Sequence, residues 1–227
     1  MENKLNVSIN IDGTTISHFS AFSLEQKFNE HHKFELRFNH DLVETQGTSS
    51  LSNSKNFIGK NITVEFGVDS GNEQVFVGKV TRVEFSQSHG YQGDLIVSGF
   101  SPTILLERGP DLGSYLAKNL KSIIHQATSD VPTNDLKMKV NPARTDPIDY
   151  IIQYRESDYD FLNRLSAEYH EWFFYDGTNL NFGKPNKIKE VGLVYGRNLQ
   201  NLQYALQIAP LKYRKFAYSP GEDKMLT

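Results

Sequence analysis

Cysteine is absent from this 227-residue sequence. Its absence excludes a disulfide framework, a thiolate metal site and a cysteine nucleophile together. Charge of one sign is not in excess either: 24 Lys and Arg face 27 Asp and Glu, a formal charge of -3. Such a chain offers no electrostatic reason to bind nucleic acid or an anionic membrane. No apolar run approaches the roughly 20 residues that a membrane-spanning helix needs, so no membrane anchor is expected. The opening Met1-Glu2-Asn3-Lys4 leads into alternating residues and lacks the apolar core of a signal peptide. A protein of this kind that leaves the cell is expected to use another route than general secretion.

Motifs of catalysis are missing as well. The chain contains no H-E-x-x-H, G-x-S-x-G, G-x-x-x-x-G-K-[ST] or G-x-G-x-x-G. Zinc hydrolysis, a serine elbow and phosphate cradling therefore lack support. The adjacent His31 and His32 read as solvated turn residues, because neighbours in extended chain point to opposite faces and cannot readily share an ion. Glu156, Asp158 and Asp160 crowd one helix start, where the dipole and the cap favour negative charge. Glu168 and Glu171 read as surface residues. The run Trp172-Phe173-Phe174-Tyr175 would bury alternate rings on a strand, which favours core packing over a sugar platform. Lys212-Tyr213-Arg214-Lys215-Phe216 reads as a charged strand edge sooner than a nucleic-acid surface. No catalytic residue, cofactor site or metal site is expected.

What is present is aromatic and β-branched. Fifteen Phe and 11 Tyr stand against one Trp, and with many Val and Ile they favour strands. A hydrophobic share of 38% and a charged share of 22% fit a globular chain. Leu5, Val7, Ile9 and Ile11 alternate up to an Asp12-Gly13 hairpin signal, and Phe34, Leu36 and Phe38 alternate again. A Ser-rich loop is expected over 45–56, a strand through Ile62, Val64 and Phe66, and a turn at 69–72. Val75 to Phe85 reads as a long strand with a bulge or bend at Gly78, and a loop at 89–93 leads to a strand through Leu95, Val97 and Gly99. Consecutive strands joined by turns predict an antiparallel barrel or sandwich up to about residue 107.

The pattern then changes. Ser114 is placed to cap a helix with apolar positions Leu116, Leu120, Ile123, Ile124 and Ala127. Ile148, Tyr150, Ile152 and Tyr154 alternate as a strand. Ser157 and Asp160 make a capping-box-like pair ahead of a helix whose buried stripe would be Phe161, Leu162, Leu165 and Tyr169. A hairpin turns at Asp176-Gly177. Leu202, Tyr204, Leu206 and Ile208 alternate as a further strand, and Tyr213 to Tyr218 form a last one before a polar tail at Gly221-Glu222-Asp223-Lys224. The expected class is mainly β with an α+β insertion: an antiparallel β-barrel-like domain interrupted by a helix-strand-helix-hairpin unit.

The segment Gln153-Tyr154-Arg155-Glu156-Ser157-Asp158-Tyr159-Asp160-Phe161-Leu162-Asn163-Arg164-Leu165 resembles the most recognisable stretch of VgrG-type spike proteins of type VI secretion systems. Phe22-Ser23-Leu24 and Phe34 to Phe38 are similar to that family's opening strands, Phe57-Ile58-Gly59-Lys60 and Phe76 to Val80 to its following barrel strands, and Leu105 to Gln126 to its first domain boundary and helix. The resemblance marks Gln153, Tyr154, Glu156, Ser157, Asp158, Asp160, Phe161, Leu162, Arg164 and Leu165 as a structural signature. It implies a discontinuous barrel of residues 1–107 plus 195–227, with an α/β domain of 108–194 inserted. It further implies a structural hub with no enzymatic activity, similar to the hub of contractile-phage baseplates. The expected partners are two further copies of the chain in a homotrimer, the tube protein of the apparatus, and effectors. Assembly is expected in the bacterial cytoplasm, followed by injection through the contractile machine. The alternative is a phage tail hub with a cell-wall-degrading or carbohydrate-binding role. Family members continue into a second barrel, a collar and a needle of repeating strands, so this chain is expected to be a hub portion and not a whole spike.

Overall fold

Alternation of large apolar residues builds the first sheet. Phe34, Leu36 and Phe38 point to one side of β4 (Lys33–Asn39) and are all but fully buried, while Lys33, Glu35 and Arg37 face solvent. The same period places Ile9 and Ile11 of β1 (Leu5–Ile11), Ile62 and Val64 of β5 (Asn61–Val68), and Leu95 and Val97 of β7 (Gly93–Phe100) inside. With β2 (Thr14–Thr15), β3 (Ala21–Glu25) and β6 (Gln74–Gln87), these strands form a seven-stranded antiparallel sheet in the order β2-β1-β5-β6-β7-β4-β3. It curls into a half-barrel, the mainly β architecture expected of the sequence. This computed structural model describes residues 5–39, 55–68, 74–87, 93–185, 190, 192–196, 199–206, 208, 216–219 and 221–226. The expected turn at 69–72 and basic segment 212–215 lie outside those residues, as do nearly all of the loops at 45–56 and 89–93.

The β1–β2 hairpin turns where expected. Asp12 (φ 48°) and Gly13 (φ 88°) are both left-handed, as a two-residue hairpin turn requires, and Asn10 Oδ1 accepts the Gly13 N–H at 2.8 Å. Gly78 does not carry the bulge read into the sequence. It pairs regularly with Ile62, and the register shifts between Val80 and Arg82. Glycine is required at 78 for space: a Cβ there would sit 2.6 Å from the Phe34 ring, which packs across β6 and β7.

The structure also departs from the expected helix at Ser114. Residues Asp111–Lys118 are a strand, β8, paired antiparallel with β10 (Ile148–Glu156) in a two-stranded ribbon. The helix α1 (Leu120–Ala127) starts at Asn119, whose Oδ1 accepts the Ser122 N–H at 2.9 Å. Leu116 and Leu120 are spaced for a helix, but the ladder with β10 claims Leu116, and Asn119 is a stronger cap than Ser114 could be inside a strand. Next come β9 (Met138–Val140), α2 (Asp158–Tyr169), β11 (Phe173–Tyr175) and β12 (Leu180–Phe182), with β12 between β11 and β9. The inserted unit thus has two more strands, β8 and β9, than its expected outline. Its buried residues join those of the half-barrel in one apolar core.

Residues 1–186 form one compact unit and 187–227 a second. In the second, the expected strand through Leu202, Tyr204, Leu206 and Ile208 forms no ladder among the described residues, and all four side chains are exposed. The expected polar tail is a hairpin instead. Ala217–Ser219 (β13) pairs with Lys224–Leu226 (β14), and the Tyr218 hydroxyl donates to Asp223 at 2.6 Å.

Candidate functional site

The signature residues meet where β10 runs into α2. Gln153 is the inward-facing polar residue of β10 and is 1% exposed. Its Nε2 donates to Asp158 Oδ1 at 2.9 Å and to the Glu156 carbonyl at 3.3 Å, and its Oε1 accepts the Tyr115 hydroxyl of β8 at 3.3 Å. Burial, then the negative charges of Asp158 and Asp111, raise the Tyr115 pKa and keep it a donor. Asp158, in the first turn of α2 and 3% exposed, gives its other oxygen to Arg108 Nη2 at 2.7 Å. Arg108 continues to Asp130, beyond the end of α1, at 2.6 Å. One chain of hydrogen bonds therefore fastens both ribbon strands, α2, the turn that follows the half-barrel and the turn that follows α1. Among the described residues, no buried side-chain polar atom lacks a partner.

Ser157 caps α2, its Oγ accepting the Asp160 N–H at 3.1 Å. Arg164, two turns along, folds back over the Phe161 ring. It donates to both oxygens of Glu156 at 2.6 and 3.1 Å and to the Ile152 carbonyl at 2.7 Å. Phe161, Leu162 and Leu165 are fully buried, and Tyr115 stacks on Phe161 at 5.5 Å. The structure thus brings together eight signature residues: Gln153, Glu156, Ser157, Asp158, Phe161, Leu162, Arg164 and Leu165. Asp160 contributes its backbone, and Tyr154 points the other way, 60% exposed. Arg108 and Asp130, essential to the network, carried no signal in the sequence, since they stand 50 and 28 residues from Asp158.

Two of the three carboxylates at the helix start, Glu156 and Asp158, are thereby spoken for. Both oxygens of Glu156 bind Arg164, and both of Asp158 bind Arg108 and Gln153. Neither stands free over a cleft as an acid–base pair would. Among the described residues no cluster of three His, Asp or Glu side chains could hold a metal.

His31 and His32 are not solvated turn residues. They do point to opposite faces. His32, 3% exposed, lies against Phe76 and Tyr175, with Nδ1 3.2 Å from Gln26 Nε2, and burial lowers its pKa. His31 stands between Glu107 (3.1 Å) and Thr103 Oγ1 (2.8 Å), and Thr103 reaches Ser101 Oγ at 2.6 Å. A carboxylate, an imidazole and a hydroxyl in line have the order of a nucleophilic triad. Thr103 and Ser101 are 1% and 0% exposed, however, so no substrate reaches either hydroxyl. The relay's role is architectural: Ser101 Oγ accepts the His32 N–H at 3.1 Å and holds β4 to the turn after β7.

A second junction docks the β11–β12 hairpin on β6. The Val77 N–H donates to the Gly177 carbonyl at 2.7 Å, and the Tyr175 hydroxyl donates to the Val77 carbonyl at 3.1 Å. Asp176 shapes the turn by accepting from Thr178, Asn179 and Asn181. Burial alone would raise its pKa, but those hydrogen bonds outweigh burial and hold it at about 2. As expected, alternate rings of the aromatic run enter the core: Phe173 and Tyr175 are buried, whereas Trp172 is 43% exposed.

The model of the phage tail baseplate hub (GPD) family matches residues 28–184, which spans the half-barrel from β4 onward and the elements from β8 to β12. No curated protein matches the chain. Among solved structures, the 43 kDa tail protein of prophage MuSo2 from Shewanella oneidensis superposes with a TM-score of 0.64 at 19% identity, over 87% of this chain and 59% of that one. The E. coli c3393 protein is described as a type VI secretion component similar to the T4 tail proteins gp27 and gp5. It superposes with a TM-score of 0.57 at 14% identity, over 87% and 51%. The Francisella PdpA-VgrG complex, half-lidded, gives 0.55 at 12%, over 82% and 32%. This chain spans a third to three-fifths of the length of these structures, and at such identities they show its fold.

Proposed function

This chain belongs to the phage tail baseplate hub family, and from that membership we propose that it is a structural hub at the tip of a contractile injection apparatus. The observation that carries the proposal is the use made of the signature. Gln153, Glu156, Ser157, Asp158 and Arg164 are consumed in joining β10, α2, β8 and Arg108, so the signature's chemistry is that of a rigid joint. The hub acts as a homotrimer on the end of the tube protein, supports puncturing, and carries effectors. It performs no catalysis of its own. Residues 1–107 with 195–227 constitute its β domain, and 108–194 the insertion. It assembles in the cytoplasm and leaves with the injected tip.

The likeness to the tail protein of prophage MuSo2 favours, as a second reading, a phage tail as the apparatus that holds this hub, with the same structural role. Deleting the gene from its host and imaging the sheathed particles tests the proposal. A hub is needed for the particle to form, so few or none are expected. Normal numbers of particles that merely fail to kill or to digest cell wall would overturn it in favour of a cargo or lytic role.

A further inference from the structure

The β8–β10 ribbon has two faces of opposite character. The inner face carries Tyr115, Ile151 and Gln153 into the core. The outer face consists of three cross-strand pairs, Leu112 with Tyr154, Ser114 with Ile152, and Leu116 with Tyr150. All five of its apolar side chains stand open: Leu112 66%, Leu116 72%, Tyr150 56%, Ile152 44% and Tyr154 60% exposed. Alternation in β10 therefore turns its tyrosines and Ile152 outward, against the usual rule for a strand at the edge of a core. No residue of the three pairs is charged; Lys118 and Asp111 mark the two ends, and Arg155 stands over the Tyr154 ring at 5.5 Å, on the rim.

Its size says what kind of partner fits. At roughly 100–150 Å² of exposed surface apiece, the five side chains make a patch of about 600 Å², the upper end for a monomer's largest apolar patch. A stable protein interface takes about 800 Å² from each partner, so the stripe with its rim is one half of such an interface. An uncharged centre of Tyr, Leu and Ile is the composition of lasting contacts between copies of one chain, where transient partners leave more charge. Bending the ribbon away to hide the stripe is prevented by its inner face, which the Gln153–Asp158–Arg108 chain fixes to α2.

We propose that the outer face of the β8–β10 ribbon is the surface by which one copy of this chain packs against a different surface of the next, as a closed ring of three requires. The proposal rests on the hub reading, which supplies the need for several copies. Ser114→Lys places a charge in the middle of the stripe without removing a core atom, and Leu116→Lys with Ile152→Lys removes its apolar centre. Sedimentation of the chain up to about 100 µM, with melting curves as a control for folding, reads the outcome. The wild type is expected to associate, and both variants to associate at least tenfold more weakly at unchanged melting temperature. Equal association of wild type and Ser114→Lys would overturn the proposal and leave the hub reading intact. A wild type that stays monomeric but binds purified tube protein through the stripe would overturn it in favour of that partner. If the wild type is monomeric and binds nothing, the proposal also fails, and particle assembly in the deletion strain then decides the hub reading separately.

Discussion

Replacing Arg108 by Met removes the cation that faces Asp158 and keeps most of the side-chain bulk. Asp158 is left 3% exposed with Gln153 as its remaining side-chain donor. Taking one partner from a fully buried ion pair costs about 3–5 kcal/mol. Two features reduce that figure here. The Arg108 side chain is 41% exposed, and Asp158 sits in the first turn of α2, where the helix dipole favours a negative charge. The expected loss is therefore about 2–3 kcal/mol, well short of a neutral surface change. Asp158→Asn should cost less, about 1–2 kcal/mol, because an amide still accepts one hydrogen bond but turns its NH2 toward another donor. The double variant should lose less than the sum by at least 1 kcal/mol, since the two side chains share one contact. Urea unfolding followed by far-UV circular dichroism, with slopes compared across the series, measures all four proteins. A loss below about 0.5 kcal/mol for Arg108→Met, or strict additivity in the cycle, would refute the reading of this network as the joint of the insertion.

Three further expectations can be checked on the same protein. Asp176 has its folded pKa lowered to about 2 from 3.8, so its carboxylate contributes stability above pH 4 that is lost as pH falls through that window. Asp176→Asn should flatten the acid limb of a stability–pH curve by about 1 kcal/mol, since the residue is partly exposed and solvent screens its interactions. Gly177 has φ 102°, and a Cβ there would lie 2.5 Å from the Val75 carbonyl oxygen. Gly177→Ala should therefore cost about 2 kcal/mol, a drop of about 4–8 °C in melting temperature by calorimetry. Ser157→Ala should cost about 1 kcal/mol by loss of the α2 cap, and Ser157→Asp should restore most of it.

The half-barrel was legible because its strands alternate cleanly. Phe34, Leu36 and Phe38 on one side and charges on the other leave no competing reading. The helix α2 was equally plain, with Ser157 to start it and Phe161, Leu162 and Leu165 at helical spacing. The ribbon strand β8 was not. Its residues Leu112, Ser114 and Leu116 have a polar centre and a four-residue apolar spacing that suits a helix, and the strand is decided by β10, more than 30 residues on. The alternation of β10 marks a strand, yet of its four alternating residues only Ile148 is buried, and Tyr150, Ile152 and Tyr154 face outward. Periodicity gives a face and not a direction. The same limit hid the pairings of the site. That Asp158 is neutralised by Arg108, and that His31 joins Glu107 to Thr103, depends on contacts 50 to 76 residues apart. The negative charges around Glu156 had a sufficient local explanation in the helix cap, which concealed the separate partner of each carboxylate.

A hub built into the injection apparatus must sit at one end of the assembled particle. Electron microscopy of contractile particles purified from cells carrying an epitope-tagged copy, labelled with gold-conjugated antibody, tests it most directly. Label is expected at one end of the particle, at the tip of the tube. Particles without label, with the tagged protein free in the supernatant, would contradict it.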